Sequence, residues 1–506
     1  MKFMHVKWLS LFLTLVMLTA CTVVAPQPAA TPESTIPVME STTEPTTEPV
    51  PETPADGTAS PVTGRWVGQI SIAGQALDIV VHFVEQDGGL TGSIDIPQQG
   101  ATGIALDNIA VDPPQIGFSM LPSPQTAVFA GQIVDTDTIT GTFSQAGYEG
   151  TFDLARAAEV AATVAPSVPY AEEEVTFQNG DVILAGTLSL PEGDGPFPAV
   201  LLISGSGPQD RNENVFSFEV FRVLADALTR KGVAVLRYDD RGVGGSSAGS
   251  PDDTSVDFAG DVLAGVEMLS QRPEIDPVHI GLLGHSEGGI IAPLVANESD
   301  KVAFVILMAG PSVPGDQISA AQLRLIMQAD GSTPDQLAQA EARQQQMLAA
   351  VRTGEGWDKL EADVRAELQA SIDALTEAQR SQIPDVPAYI DGVVGSQIGA
   401  VKSAWYHYFI TYDPAPALET LTVPMLALYG GKDLQVPTDV NEAELQTIID
   451  GSNNPDMTIK VFPTANHLFQ EATSGSPTEY ATLDKAFVPA FLDTITQWIQ
   501  AHSQTQ

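Results

Sequence analysis

Two patterns of apolar residues divide the chain. The first lies between about residues 64 and 154, where short segments alternate apolar and polar positions and are separated by glycine, aspartate and proline. These segments are 66–70, 77–83, 90–96, 115–120, 127–134, 138–143 and 150–154. A period of two is typical of strands with one face in a core and the other in water. The pattern predicts a small antiparallel barrel or sandwich over residues 62–155.

The second pattern begins after residue 170. Apolar runs of strand length recur at 199–203, 233–238, 278–283, 302–308 and 425–429. Amphipathic segments lie between them, as at 218–231 and 258–271. Fully apolar runs suit parallel strands that helices cover on both faces. Residues 171–506 are therefore predicted to form a doubly wound, mostly parallel α/β sheet, entered through a hairpin at 175–178 and 183–190.

The strand rhythm stops between about residues 312 and 411. Segments rich in Ala, Gln and Glu replace it and predict helices at 317–328, 334–351, 357–375 and 387–408. An insertion at the carboxyl end of the sheet is typical of a lid over a site, and a merely structural insertion is the alternative. Trp405, Phe409 and Tyr412 recur at helical spacing. Such a stripe favours helix packing over the lining of an acyl pocket.

Residues 1–20 have the form of a secretion signal. A short basic segment precedes the apolar run 8–18, which is too short for a typical membrane span. Leu18-Thr19-Ala20-Cys21 then resembles a bacterial lipobox. That resemblance implies cleavage before Cys21, acylation of this residue and attachment to the outer face of a membrane in the cell envelope. An ordinary signal peptide with an incidental cysteine is the alternative.

Composition narrows the remaining choices. Residues 21–61 are rich in Pro, Thr and Glu and predict an extended tether, and 156–170 form an Ala/Val/Pro linker. The formal charge is −42, from 64 acidic and 22 basic residues, which argues against nucleic acid as a partner. Cys21 is the only cysteine in the sequence, so no internal disulfide and no cysteine zinc site are possible. We expect neither a metal nor a cofactor.

The strongest chemical signal is Gly-x-Ser-x-Gly, which occurs twice. The match at 284–288 follows one apolar run and precedes another, so it lies on a strand-turn-helix unit, the nucleophile elbow. The match at 245–249 follows a polar loop and leads into Ser-Pro-Asp-Asp, which does not start an apolar helix. We therefore interpret the second match as a loop and take Ser286 as the candidate nucleophile.

Chain order selects partners for Ser286. Of the seven histidines, His467 is the one in a loop directly after a late apolar strand, which makes it the candidate base. Asp433 follows the preceding strand and is the candidate acid that orients the imidazole. Asp439 and Glu442 fall in the next predicted helix and are weaker candidates.

Oxyanion donors are predicted at two backbone positions. The glycine-rich segment after the strand 199–203 can turn its N–H groups toward a developing negative charge. We assign the N–H groups of Ser206 and Glu287, with Gly207 as the alternative to Ser206. The Glu287 carboxylate is a candidate partner of Arg211, because the two strand ends are expected to be neighbours. A solvent-facing side chain is the other possibility.

Together these motifs resemble the α/β-hydrolase superfamily, and within it the serine aminopeptidase (S33-like) and acyl esterase branch. The resemblance extends from about residue 170 to the C-terminus and is carried by segments 204–211, 237–246, 284–289, 430–437 and 466–467. One departure is that Ser204-Gly205 replaces the His-Gly common at this strand end. The Gly-x-Trp start of the first part of the chain and its later glycine repeats resemble lipocalin-like β domains.

The resemblance implies a serine hydrolase that cleaves small carboxylic esters through an acyl-enzyme. The main alternative is an aminopeptidase acting on short peptides, with Glu355 or Asp358 in the lid to hold the substrate ammonium. A third hypothesis, of a different class, is a surface binding lipoprotein with little catalysis, which would use the β domain for a ligand or the cell wall. A purely structural role is the more common one for such a domain.

Overall fold

The computed structural model describes residues 60–72, 75–86, 89–96, 101–120, 127–145, 148–157, 168–375, 377–380, 383 and 385–503. Outside the described residues lie the predicted signal peptide, Cys21, nearly all of the tether 21–61 and most of the linker 156–170. Within those ranges no helix has the length and apolar character that crossing a membrane requires.

Eight antiparallel strands close into a barrel in the first part of the chain. They follow one another in sequence: β1 (Gly64–Ile72), β2 (Gln75–Gln86), β3 (Gly89–Ile96), β4 (Ala101–Asp112), β5 (Gln115–Met120), β6 (Ala127–Asp135), β7 (Thr138–Gln145) and β8 (Tyr148–Arg156). The barrel closes through β1 and β8, where Gly68 is paired with Leu154. The antiparallel architecture agrees with the sequence pattern, and the sheet is a barrel, not a sandwich.

Strand β4 is absent from the sequence prediction, which found the other seven. Asn108 in this strand has a φ of 52°, and the pairing with β5 shifts register between Asp107 and Ala110. Such a bulge inserts residues into one strand and moves the following side chains to the opposite face. The period of two is broken there, which is why the alternation did not reveal the strand.

Aromatic side chains fill the barrel. Phe118 and Phe129 stack with ring centroids 4.5 Å apart, and Phe152 meets Phe129 edge-on at 5.3 Å. Phe143 contacts Phe129 from another side, at 5.0 Å. All four rings are buried, so the alternating apolar positions of the strands form a packed interior.

A second sheet of eight strands follows. Its strands are β9 (Ala171–Asn179), β10 (Val182–Leu190), β11 (Phe197–Ile203), β14 (Ala234–Tyr238), β15 (Ile275–His285), β16 (Val302–Met308), β17 (Met425–Gly430) and β18 (Met457–Phe462), and a small hairpin, β12 (Asn214–Val215) and β13 (Phe218–Glu219), lies outside it. Across the sheet the order is β18, β17, β16, β15, β11, β14, β10, β9. The β9–β10 and β10–β14 pairs are antiparallel, and the remaining pairs are parallel.

Helices surround this sheet and form the insertion. The elements that follow or precede the strands are Val220–Thr229, Ser255–Ser270, Gly288–Glu298, Ala415–Glu419, Thr438–Gly451, Phe491–His502 and the 3-10 helix Pro477–Thr482. The helical insertion, residues 315–411, contains Gly315–Ala329, Pro334–Thr353, Trp357–Asp373, Glu377–Arg380, Val386–Val401 and Ala404–Thr411. It has an apolar cluster of its own, separate from the core of the sheet.

The insertion differs from the sequence prediction at one point. A single helix was expected over residues 387–408, but the structure has two, Val386–Val401 and Ala404–Thr411. Ser403 separates them, because its backbone is extended and its hydroxyl accepts a hydrogen bond from the N–H of Tyr406. A serine in this role starts a new helix instead of continuing the old one.

The parallel strands bring the candidate residues to one edge of the sheet. Strands β11, β15, β17 and β18 run in the same direction, so their carboxyl ends lie side by side. Ligand sites of open α/β sheets form at this edge, where the loops leave the strands. Every candidate residue for nucleophile, base, acid and oxyanion donor follows one of these four strands.

Replacing Phe129 with alanine is expected to destabilise the barrel by about 3–5 kcal/mol, because a fully buried ring is lost from the interior. The neighbouring Val128 is 43% exposed, so Val128→Ala is the matched control and should cost less than about 1 kcal/mol. Calorimetric unfolding of the whole chain measures both changes. Equal effects of the two substitutions would contradict a packed barrel interior.

Candidate active site

Ser286 lies on the turn between β15 and the helix Gly288–Glu298. Its φ is 52°, in the left-handed region that residues other than glycine seldom adopt. The backbone on both sides is fixed: the N–H of Ser286 donates to the carbonyl of Met308 at 2.9 Å, and Gly289 donates to the carbonyl of Ser286 at 2.9 Å. The side chain is half-buried. This sharp, strained turn has the form of a nucleophile elbow.

Two glycines of the motif are required by close packing. A β-carbon built on Gly284 would lie 2.0 Å from the carbonyl oxygen of Gly288. One built on Gly288 would lie 2.3 Å from the carbonyl oxygen of Ile203, at the end of β11. Any larger residue would therefore push apart the elbow and the strand that carries the oxyanion loop.

Asp433 and His467 meet at the ends of β17 and β18. Nδ1 of His467 lies 2.8 Å from Oδ2 of Asp433, and both residues are 4% exposed. The other carboxylate oxygen, Oδ1, accepts the N–H groups of Gln435 and Val436 at 2.7 and 2.9 Å. With Asp433 as its acceptor, Nδ1 carries the proton, and Nε2 is left as the basic nitrogen. The weaker acid candidates, in the helix Thr438–Gly451, are exposed.

Two carboxyl groups, half-buried Asp240 and buried Glu213, anchor the loop after β11, residues 204–206. The hydroxyl of Ser204 donates to Asp240 at 2.8 Å, and the backbone N–H of Gly205 donates to Oε1 of Glu213 at 2.8 Å. Burial raises the pKa of Asp240 well above its usual range, although bonds from Gln209 and Ser204 oppose this. The serine that replaces the family's histidine at this strand end thus has a structural partner of its own.

Glu213 also binds the residue before the nucleophile. Its Oε1 lies 2.7 Å from Nδ1 of His285, while Nε2 of His285 lies 3.1 Å from the carbonyl oxygen of His467. A carbonyl only accepts, so Nε2 carries a proton. Burial lowers the pKa of His285, but the charge and hydrogen bond of Glu213 raise it more, and the net pKa lies above the usual value. The buried pair of Glu213 and His285 therefore links three parts of the candidate site. Glu213 binds the loop after β11, His285 precedes the elbow, and the ring of His285 binds the backbone of His467.

Glu287 is buried immediately after the nucleophile, with 2% of its surface exposed. Its Oε1 accepts hydrogen bonds from the Ser255 hydroxyl at 2.6 Å and from Nε1 of Trp405 at 2.8 Å. Burial raises the pKa of this carboxyl, and interactions with Ser255, Trp405 and the Ser206 side chain partly offset the rise. The residue is therefore neither solvent-facing nor bound to an arginine.

The expected pairing of Glu287 with Arg211 is wrong. Arg211 forms a bidentate pair with Asp239, with distances of 3.0 and 2.7 Å, and also contacts Glu174. The prediction placed the two strand ends correctly as neighbours. It failed because Asp239, on the turn directly after β14, binds the guanidinium of Arg211 instead.

The candidate oxyanion donors lie beside Ser286. A β-carbon built on Gly205 would lie 3.3 Å from Cβ of Ser286, so the loop after β11 faces the nucleophile. The N–H of Gly205 is already bonded to Glu213. The N–H groups of Ser206 and Glu287 have no hydrogen-bond acceptor among the described residues. Glu287 also begins the helix Gly288–Glu298, whose N-terminal dipole favours negative charge.

Other candidates lie away from this cluster. Ser247, in the second Gly-x-Ser-x-Gly match, is in a loop, and its hydroxyl accepts the N–H of Ile183 at 2.8 Å. Glu355 and Asp358 are exposed. Across the described ranges, no group of three or more His, Cys, Asp or Glu side chains is arranged to hold a metal ion.

The predicted aromatic stripe divides into two stacked pairs. Trp405 and Phe409 stack at 5.6 Å, while Tyr412 stacks on Tyr408 at 5.1 Å. Trp405 and Phe409 pack against the apolar cluster of the insertion, as the packing hypothesis expected. No pattern in the sequence indicates that Trp405 also donates a hydrogen bond to Glu287, the residue after the candidate nucleophile.

The α/β-hydrolase class is defined by a doubly wound sheet in which an elbow follows a central strand. An Asp-His pair lies at the ends of two later strands. A sequence model of the Alpha/beta hydrolase family matches residues 200–483, more than half of the chain. The chain belongs to this family.

Similar proteins include two relatives found by sequence and the solved structure of an esterase. Esterase EstD of Thermotoga maritima is 28% identical over 336 residues, covering 65% of this chain and 68% of that protein. The non-heme chloroperoxidase of Burkholderia pyrrocinia is 27% identical over 260 residues, covering 47% and 77%. The Pyrococcus furiosus esterase Pf2001 is 14% identical, with a TM-score of 0.40 and coverage of 66% of this chain and 92% of that one. A similarity as low as that to Pf2001 says nothing about function.

Gly288→Ala is expected to destabilise the protein by about 1–3 kcal/mol, because the new methyl group would lie 2.3 Å from the Ile203 carbonyl oxygen and the elbow must shift. Gly395, inside the helix Val386–Val401, is the matched control, since a β-carbon there has no atom within 4 Å. Gly395→Ala should stabilise by about 0.5–1 kcal/mol. Thermal unfolding of both variants tests this, and equal midpoints would refute the packing argument.

Proposed function

We propose that this chain is a serine esterase that hydrolyses small carboxylic esters through an acyl-enzyme. Ser286 is the nucleophile, His467 the general base and Asp433 the residue that orients and stabilises the imidazole. The observation that carries the proposal is the buried 2.8 Å bond between Asp433 and His467, on the edge of the sheet where the strained turn presents Ser286. The similarity to an esterase of Thermotoga maritima supports the choice of substrate class.

The direction of each hydrogen bond determines which atom gives and which atom takes a proton in the reaction. Oγ of Ser286 attacks the ester carbonyl carbon while Nε2 of His467 takes the hydroxyl proton. The carbonyl π electrons move to oxygen, and the oxyanion accepts hydrogen bonds from the N–H groups of Ser206 and Glu287. Collapse of this intermediate breaks the ester C–O bond, and His467 returns the proton to the leaving alcohol. Water then repeats the sequence and releases the acid from Ser286.

An ester fits the surroundings of Ser286 better than a peptide with a free N-terminus. An aminopeptidase needs a carboxylate that is free to bind the substrate ammonium. Glu213, Asp240 and Glu287 lie close to the elbow, but each already accepts hydrogen bonds from the protein, and Glu213 and Glu287 are also buried. The two carboxylates suggested for this role, Glu355 and Asp358, are exposed and belong to the turn and helix start around residues 354–358.

The helical insertion is proposed to act as a lid. Its last helix, Ala404–Thr411, reaches the residue after the nucleophile through Trp405. A segment in this position controls access to the elbow and the exclusion of water. We also propose that Cys21, outside the described residues, carries the lipid that holds the enzyme at the outer face of a membrane.

Ser286→Ala is expected to lower hydrolysis of short p-nitrophenyl esters by a factor of about 10³ or more and to abolish labelling by a fluorophosphonate, because the attacking hydroxyl is gone. Ser247→Ala, in the other Gly-x-Ser-x-Gly sequence, is the matched control and should retain both. Activity retained in Ser286→Ala would sink the assignment. A panel of aminoacyl p-nitroanilides run beside the esters distinguishes an aminopeptidase, which would prefer the anilides.

The lipid anchor has an independent test. Wild-type protein expressed in a bacterial host with a labelled fatty acid should incorporate the label and sediment with membranes. Cys21→Ala removes the only thiol of the chain and should abolish incorporation. If the variant were labelled as strongly as the wild type, acylation at Cys21 would be excluded.

A further inference from the structure

We propose that the Glu287 side chain is a positioning residue that couples the helical insertion to the two oxyanion donors. When the helix Ala404–Thr411 lies against the elbow, its hydrogen bond to Glu287 holds the backbone N–H groups of Glu287 and Ser206 in place. The inference rests on the proposed function and adds a link between the insertion and the reacting centre.

The first observation is that one carboxylate oxygen joins two separate elements. Oε1 of Glu287 accepts from Ser255, at the start of the helix Ser255–Ser270, and from Trp405, in the insertion. The first bond lies within the α/β core, whereas the second crosses to the insertion. Glu287 is 2% exposed with both donors in place, so protein groups and not bulk water hold its carboxylate in this arrangement.

The second observation concerns what this carboxylate is attached to. Glu287 supplies one proposed oxyanion donor through its own N–H, and the side chain of Ser206, the residue that supplies the other, lowers the pKa of the Glu287 carboxyl. A change in the position of the carboxylate therefore acts on both donors at once. Donors stabilise the oxyanion fully only when they are held about 2.7–3.1 Å from its oxygen, within about 0.5 Å of the productive geometry.

The third observation is that the insertion helix is closely fitted to the site. Trp405 has an indole N–H that can only donate, so the Glu287 carboxylate is a chemically suited acceptor. One turn further along the helix, burial and the nearby charge of Glu287 raise the pKa of Tyr408 to about 12. A β-carbon on Gly315 would lie 2.0 Å from the carbonyl oxygen of Phe409, so this helix also packs tightly on the first helix of the insertion.

A consequence for the reaction follows. Movement of the Ala404–Thr411 helix away from the elbow breaks the Trp405 bond and leaves Glu287 with fewer donors. The oxyanion site is then complete only while the insertion covers it. Ester binding and oxyanion stabilisation thereby become linked, and the acyl-enzyme forms in a site from which water has been largely excluded.

The test compares Trp405→Phe with Ser255→Ala in the full chain. Each removes one hydrogen bond to the same oxygen of Glu287, but only Trp405 belongs to the insertion; phenylalanine also keeps a ring on Phe409. Hydrogen exchange in residues 404–411 should become about fivefold faster in Trp405→Phe and stay at the wild-type rate in Ser255→Ala. For a short p-nitrophenyl ester, kcat of Trp405→Phe should fall about tenfold while KM changes less than about twofold.

Unchanged exchange at 404–411 in Trp405→Phe, or an equal increase in Ser255→Ala, would overturn the coupling. If Trp405→Phe does not fold, Glu287→Gln keeps the volume but weakens the acceptor, and must show the same exchange pattern. Failure of the proposed function has a different signature, because a wild-type protein without ester hydrolysis or fluorophosphonate labelling would refute the esterase while leaving the exchange comparison intact.

Discussion

The candidate site depends on one short loop that lies beside three carboxyl groups, Asp240, Glu213 and Glu287. Residues 204–206 leave the end of β11; Asp240 accepts a hydrogen bond from Ser204, Glu213 accepts one from Gly205, and the Ser206 side chain lowers the pKa of Glu287. Two of these acids bind further parts of the site, since Glu213 contacts His285 and Glu287 contacts Trp405. The loop, the elbow, the base and the insertion are thus positioned through shared acceptors.

Three acids beside the proposed oxyanion donors are unfavourable in isolation, because their negative charge would oppose the charge that develops in the proposed reaction. Desolvation resolves part of this conflict. Burial raises the pKa of both Asp240 and Glu287, which favours their neutral forms and weakens the repulsion. Glu213 instead faces His285, whose raised pKa favours a positive partner at 2.7 Å. Burial and the histidine partner therefore both act against a build-up of negative charge beside the candidate N–H donors.

Local pattern was enough to predict the sheet strands and the elbow at Ser286, because apolar runs and glycine spacing are properties of adjacent residues. It failed where one residue breaks the period: Asn108 conceals a barrel strand, and Ser403 divides a helix. The anchors of the oxyanion loop were missed for another reason. Glu213 lies in a polar turn with no distinguishing neighbours, and its partners are 8 and 72 positions away in sequence. Pairings of this kind arise from the fold and leave no local signal.

The packed interior of the barrel limits how that part of the protein can recognise anything. Stacked phenylalanine rings such as Phe118 and Phe129 occupy the space in which a hollow barrel would hold a small molecule. Recognition by the barrel must therefore take place on its outer wall, where Val84 and Val134 are 53% and 61% exposed, or on the turns that join its strands. The barrel would then bind a partner through its outer surface. The shape and charge of that surface, and not the size of an enclosed cavity, would determine which partner it selects.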